Sequence, residues 1–128
     1  MDLDYIRRKA MAARQFECAA GPASFTLRLP TKLESSIAYA GAHSAGKVDS
    51  SSGLRFERAL GLLAVVGWSG VLVRHVLPTH DGNEPFEFEP GAAEVLFDAQ
   101  PEWEGVILQA LMARVAERQA VEDTAEKN

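Results

Sequence analysis

The run Leu54-Arg55-Phe56-Glu57-Arg58-Ala59-Leu60-Gly61-Leu62-Leu63-Ala64-Val65-Val66-Gly67-Trp68 carries the strongest helical signal in this 128-residue chain. Leu54, Leu60, Leu63 and Val66, together with Phe56, fall on overlapping helical rows, and the charged Arg55, Glu57 and Arg58 are confined to the first turns. The spacing predicts a central core helix over 54–68. Its nearly continuous apolar part, Ala59 to Trp68, is ten residues long, against the roughly 20 needed to cross a bilayer. A buried helix is expected, not a membrane span.

On the N-terminal side, Phe25, Leu27 and Leu29 alternate with Thr26 and Arg28, the period of a half-buried strand that Pro30 stops. Thr31 and Glu34 have the spacing of a capping box, so a helix over 32–42 follows, continued by Leu33, Ile37, Ala38 and Ala40. Leu3, Ile6, Ala10, Met11 and Ala13 predict an amphipathic helix over residues 2 to about 15, in a unit that Gly21-Pro22 closes. Gly41 to Gly53 collects Gly and Ser with Val48 as its one large apolar group, and a flexible loop is expected there.

On the C-terminal side, Gly67-Trp68-Ser69-Gly70 breaks the helix, and Val71–Leu77 is β-branched and apolar. Pro78 to Pro85 is a polar turn, and Phe86 and Phe88 alternate with Glu87 and Glu89, so a loose hairpin joins 71–77 to 85–88. Pro90 opens a short helix through Phe97. Pro101 opens the last and longest one, with Trp103, Ile107, Leu108, Leu111, Val115 and Ala116 at three-four spacing. Past Arg118 the chain turns polar and is expected to fray. The fold class is mainly α with a small β element, a short strand plus a loose hairpin. It forms a single compact domain over 1–118, with a polar tail over 119–128.

A hydrophobic fraction of 47% and a charged fraction of 24% suit one ordinary globular core. A net charge of −5 with scattered basic residues argues against a phosphate-binding surface. The densest basic cluster, Arg7-Arg8-Lys9 with Arg14, is flanked by Asp2, Asp4 and Glu17 and reads as a polar helix face. The lone Cys18 makes no internal disulfide, and its apolar neighbours suit a small buried thiol in a reducing cytosol. The first residues, Met-Asp-Leu-Asp, lack the apolar segment of a secretory signal.

Several stretches imitate catalytic or metal motifs, and none makes a site. Gly41-Ala42-His43-Ser44-Ala45-Gly46-Lys47-Val48 fits the phosphate-loop pattern up to Lys47, but Val48 stands where the Mg²⁺-binding hydroxyl belongs and Asp-Ser-Ser-Ser-Gly follows in place of a helix. The Val95–Asp98 run that could mimic the acidic strand of such enzymes sits in a chain too short for the usual parallel sheet. Gly67-Trp68-Ser69-Gly70-Val71 lacks the last glycine of a nucleophile elbow. His75, His80 and Asp81 straddle Pro78 and cannot form a one-face helical metal pair. Glu87 and Glu89 share one face of a presumed strand, the wet one, and Trp68 and Trp103 sit in apolar runs that suit core packing. No catalytic, cofactor or metal residues are assigned.

Three stretches together resemble the tail assembly chaperones of long-tailed bacteriophages and prophages. They are Phe25-Thr26-Leu27-Arg28-Leu29-Pro30-Thr31-Lys32-Leu33-Glu34, then Leu63-Ala64-Val65-Val66-Gly67-Trp68-Ser69-Gly70-Val71, and then Pro85-Phe86-Glu87-Phe88 leading to Pro101-Glu102-Trp103. The resemblance spans residues 16 to 118, and the Gly41–Gly53 loop has no counterpart in the family pattern. It implies a mainly helical, cofactor-free protein that binds the tape-measure protein and the major tail (tube) protein in the host cytoplasm and leaves before the virion is complete. Nucleic acid and membrane are not among the implied partners. Self-association through the last helix is a further expectation, and an apolar groove rimmed by acidic residues would receive amphipathic partner helices. The partner-contact candidates are Phe86, Phe88, Val106, Leu111 and Val115. The rival readings are a tail-completion or head-tail joining protein that stays in the particle, and a small nucleotide-binding protein using Gly41–Lys47.

Overall fold

The computed structural model describes residues 2–43 and 51–127. Along them run α1 (Leu3–Ala13), β1 (Gln15–Ala20), β2 (Ala23–Arg28), α2 (Lys32–His43), α3 (Ser52–Ala64), β3 (Val65–Ser69), a 3₁₀ turn at Val73–His75, α4 (Ala92–Ala99) and α5 (Pro101–Lys127). The fold is mainly α with a small antiparallel sheet of order β1-β2-β3.

β2 is the central strand. It buries Ala23, Phe25 and Leu27 on one side and leaves Ser24, Thr26 and Arg28 half-exposed on the other, as its alternation predicts. On the wet face, Ser24 and Thr26 both donate to the Glu17 carboxylate, at 3.3 and 3.0 Å. β1 was not expected, since the sequence places residues 15–20 in the unit that begins with α1. Phe16, Cys18 and Ala20 nevertheless alternate inward, and Ala20 pairs with Ala23 across a two-residue turn. Gly21 at φ +58°, followed by a proline of fixed negative φ, gives the dihedral order of the II′ turn that hairpins favour.

The expected helix over 54–68 is shorter. α3 ends at Ala64, and Val65–Ser69 instead becomes β3, paired with β2 as Phe25↔Trp68 and Leu27↔Val65 around a bulge. An apolar, β-branched run is compatible with either state, and the open edge of β2 selects the strand. The expected strand over 71–77 contracts to a single bridge, Leu72↔Pro85, flanked by Val73 N–H to Glu84 O and Phe86 N–H to Val71 O, both 2.8 Å. Pro85 has no N–H to extend that ladder, and the chain passes into the 3₁₀ turn. α4 begins after Gly91, one residue past Pro90. α5 does not fray at Arg118, and its helix continues through the polar stretch to Lys127. Of the Gly41–Gly53 loop, residues 41–43 end α2, Ser51 caps α3 and 52–53 open it, and residues 44–50 lie outside the described residues.

Phe25 and Leu27 from the sheet, Leu96 and Phe97 from α4 and Ile107 from α5 make the main core, all 0% exposed. Leu60 and Ala64 of α3 meet Leu111 of α5 in a second cluster, with Phe16, Leu29, Ala38 and Phe56 around it. Arg58 on α3 clamps the other helices from outside, donating to Asp98 of α4 at 2.9 Å and to both carboxylate oxygens of Glu104 of α5.

The capping box at α2 forms as expected. Glu34 N–H donates to Thr31 Oγ1 at 3.1 Å, Thr31 N–H donates to Glu34 Oε1 at 2.9 Å, and Arg28 closes a bidentate pair on the same carboxylate at 2.7 Å. The Arg28 guanidinium first, then the Thr31 amide, lowers the Glu34 carboxyl from its ordinary 4.5 to about 2. A carboxyl depressed in the folded state contributes stability above its unfolded value and loses it as pH falls through the folded one. The urea midpoint should therefore decline between pH 4.5 and about 2, and Glu34→Gln should flatten that part of the curve; an identical acid limb in the variant refutes this. A Cβ on Gly21 would stand 2.8 Å from the Trp103 indole at a left-handed φ. Gly21→Ala should accordingly cost about 2 kcal/mol in urea unfolding.

Candidate docking groove

A groove of about 480 Å³ opens where the start of α2, the face of α3 and the middle of α5 converge. Its floor is core, with Leu111 0% and Leu60 4% exposed. Phe56 and Val115 stand half-buried on the walls, Met112 is 39% exposed at the lip, and Pro30 closes one end. Tyr39 of α2 holds Phe56 edge-on at 5.6 Å. A separate cleft of about 450 Å³ between α2 and α3 is lined by Ile37, Ala38, Ala59, Leu62 and Leu63 together with Glu34. Leu33 and Ile37 continue the apolar relief at 70% and 62% exposure.

The rim is not the acidic one expected. It carries Lys32, Ser35, Ser36, Arg118 and Gln119. Lys32 binds Glu122 at 2.9 Å, and Arg118 donates to Pro30 O at 2.8 Å. The polar flank of an occupant is therefore best neutral or acidic, so that it meets these cations without repulsion.

The expected contact residues separate. Val115 lines the groove, and Leu111 is its buried floor, out of a partner's reach in the closed fold. Val106 is 42% exposed, but nine residues of helix put it half a turn away from Val115, on the opposite side of α5. Phe86 and Phe88 are half-buried against Trp68, with ring centroids at 5.7 and 5.0 Å, and the Trp68 indole N–H donates to Phe86 O at 2.7 Å. They hold the 71–88 segment to the sheet. Phe56, Leu60, Pro30 and Met112 were not among the candidates. Leu108, Leu111, Met112 and Val115 follow i, i+3, i+4, i+7, which marks the stripe.

The motif-like stretches come to rest in structural places. Gly41–His43 is the last turn of a helix, where a phosphate loop would follow a strand, and Ser44–Val48 lies outside the described residues. Val95–Asp98 is helical, with Asp98 bound by Arg58. Ser69 ends β3, so the Gly67–Gly70 stretch runs from strand to turn. His75 accepts from Leu72 N–H at 2.9 Å and meets Trp103 edge-on at 5.0 Å; burial, then Arg74, lowers its pKa. His80 pairs with Glu84 at 2.9 Å, and Glu87 and Glu89 are exposed. Among the described residues no cluster of three His, Cys, Asp or Glu side chains could hold a metal, and no helix is long and apolar enough to cross a membrane.

Cys18 is 8% exposed, and burial pushes its thiol above its usual value. In mildly alkaline buffer it should resist a disulfide-exchange reagent in the native state and react only as fast as the chain opens. Rapid full labelling without denaturant would contradict that. Comparison with protein-family models, with curated proteins and with solved structures finds no match to this chain.

Proposed function

We propose that this chain is a non-catalytic assembly chaperone that holds an amphipathic helix of its partner in the groove between α2, α3 and α5. The observation that carries the reading is an open apolar groove with a core-built floor and a polar rim. That shape suits a helix laid in by its apolar face, with anchors spaced at i, i+3, i+4 and i+7. A second apolar cleft, between α2 and α3, offers a separate surface to such a partner.

The partner's identity comes from the resemblance in three stretches to tail assembly chaperones of long-tailed phages. On that reading the occupants are helices of the tape-measure protein, with the major tail tube protein as second partner. The site of action is the bacterial host cytoplasm, and the chaperone is absent from the finished virion. Its task is to keep apolar partner helices covered until the tube replaces it, a task that needs neither cofactor nor chemistry.

Co-expression with a tape-measure protein should raise that partner's soluble yield and allow affinity capture of the pair. Met112→Glu and Val115→Glu place a carboxylate on the lip and wall of the groove and should each weaken capture at least about tenfold, or about 1.4 kcal/mol. Val106→Glu, on the far side of α5, should leave it unchanged. Equal loss in all three variants, or capture unaffected by any, removes the groove from the reading. Mass spectrometry of purified virions should find no copy of the chain; a stoichiometric band would move it to the structural tail proteins.

A further inference from the structure

The fold leaves two helical surfaces uncovered, one on α1 and one on the C-terminal part of α5. No residue of α1 is buried, and Leu3, Ile6 and Met11 stand 58%, 45% and 49% exposed. A helix this short is marginal in water by itself, so its stability must come from packing of its apolar stripe. Leu3, Ile6, Ala10 and Ala13 form that stripe, with Arg7, Arg8 and Lys9 beside it. On α5, residues 116–126 are exposed except for Arg118 and Glu122, and Val121 is 69% exposed.

The end of α1 and this part of α5 border one cleft of about 470 Å³, floored by Phe16 and Leu29 and walled by Ala13, Arg14, Arg114 and Val121. Arg114 is occupied, its guanidinium 4.8 Å over the Phe16 ring. Arg14 is not, because its Nε is buried with no hydrogen-bond partner among the described residues. Of the cleft's own carboxylates, Glu122 is held by Lys32 at 2.9 Å, and Glu117 faces Arg114 within the cleft at 3.8 Å.

We propose that two copies of this chain pair about a two-fold axis, with α1 of each copy packed at this cleft against residues 117–126 of the other copy's α5. Charge complementarity selects the second copy as occupant. From Asp2 to Arg14 the chain has four basic and two acidic side chains, and from Glu117 to Glu126 it has four acidic and one basic. Asp123 and Glu126 have no cationic partner among the described residues and are available to the basic α1 of the other copy. Because such an interface is isologous, every contact occurs twice, so even two short helices cover a substantial area. The apolar stripe of α1 and Val121 bury each other, and the flanking charges set the register.

The test is sedimentation equilibrium of the full chain over a range of concentrations. Wild type should dimerise, and more weakly at high salt. Arg7→Glu/Arg8→Glu/Lys9→Glu should weaken self-association about thirtyfold, Asp123→Lys/Glu126→Lys likewise, and the two sets combined should return to within about fivefold of wild type. Circular dichroism checks that each variant is folded. A monomer at all concentrations overturns the proposal, as does a dimer indifferent to both reversals or a combination that fails to restore pairing. A monomer that still captures a partner through Met112 and Val115 would sink the dimer and leave the groove reading standing.

Discussion

Phe25 sits on the central strand with no exposed surface, and two indoles meet it edge-on, Trp68 at 5.9 Å and Trp103 at 6.3 Å. Each such contact adds about 0.5–1.5 kcal/mol beyond the area buried, but the more important effect is positional. Trp68 belongs to β3, and fixing it fixes the third strand. Trp103 belongs to the first turns of α5, and fixing it sets the entry of the longest helix and covers the Gly21 turn. Trp68 then carries Phe86 and Phe88, so a segment with a single β-bridge is held by rings instead of a ladder.

Features with local causes were legible in the sequence. Thr31 and Glu34 announce the start of α2 because the cap is made by residues three apart, and the alternation at Phe25 and Leu27 shows which face of β2 is dry. Features decided by distant partners were not. Val65–Ser69 is apolar enough to extend a helix, and only the free edge of β2, some forty residues earlier, makes it a strand. β1 hid in a run with one large inward residue, Phe16, because the other two, Cys18 and Ala20, are small. The helical stripe of α5 was visible, but periodicity alone does not tell which of its residues become floor, as Leu111 does, and which remain on the wall, as Val115 does.

The groove inherits its form from the core. Leu60 and Leu111 serve at once as floor and as the contact between α3 and α5, so the depression cannot collapse without unpacking the second cluster. A surface built this way is preorganised, its floor side chains already held by packing. Its basic rim is fixed too, because Arg118 and Lys32 are tied to Pro30 and Glu122.

α3 passes into β3 with no intervening residue, Ala64 closing the helix and Val65 opening the strand. A loop at that point would let the helix breathe on its own. Its absence joins one wall of the groove to the hydrogen-bond ladder of the sheet as a single cooperative unit. Amide protons along α3 from Leu60 to Ala64 are therefore expected to exchange on the slow timescale of the sheet's opening, and a molecule seated in the groove should slow exchange in β2 and β3 as well.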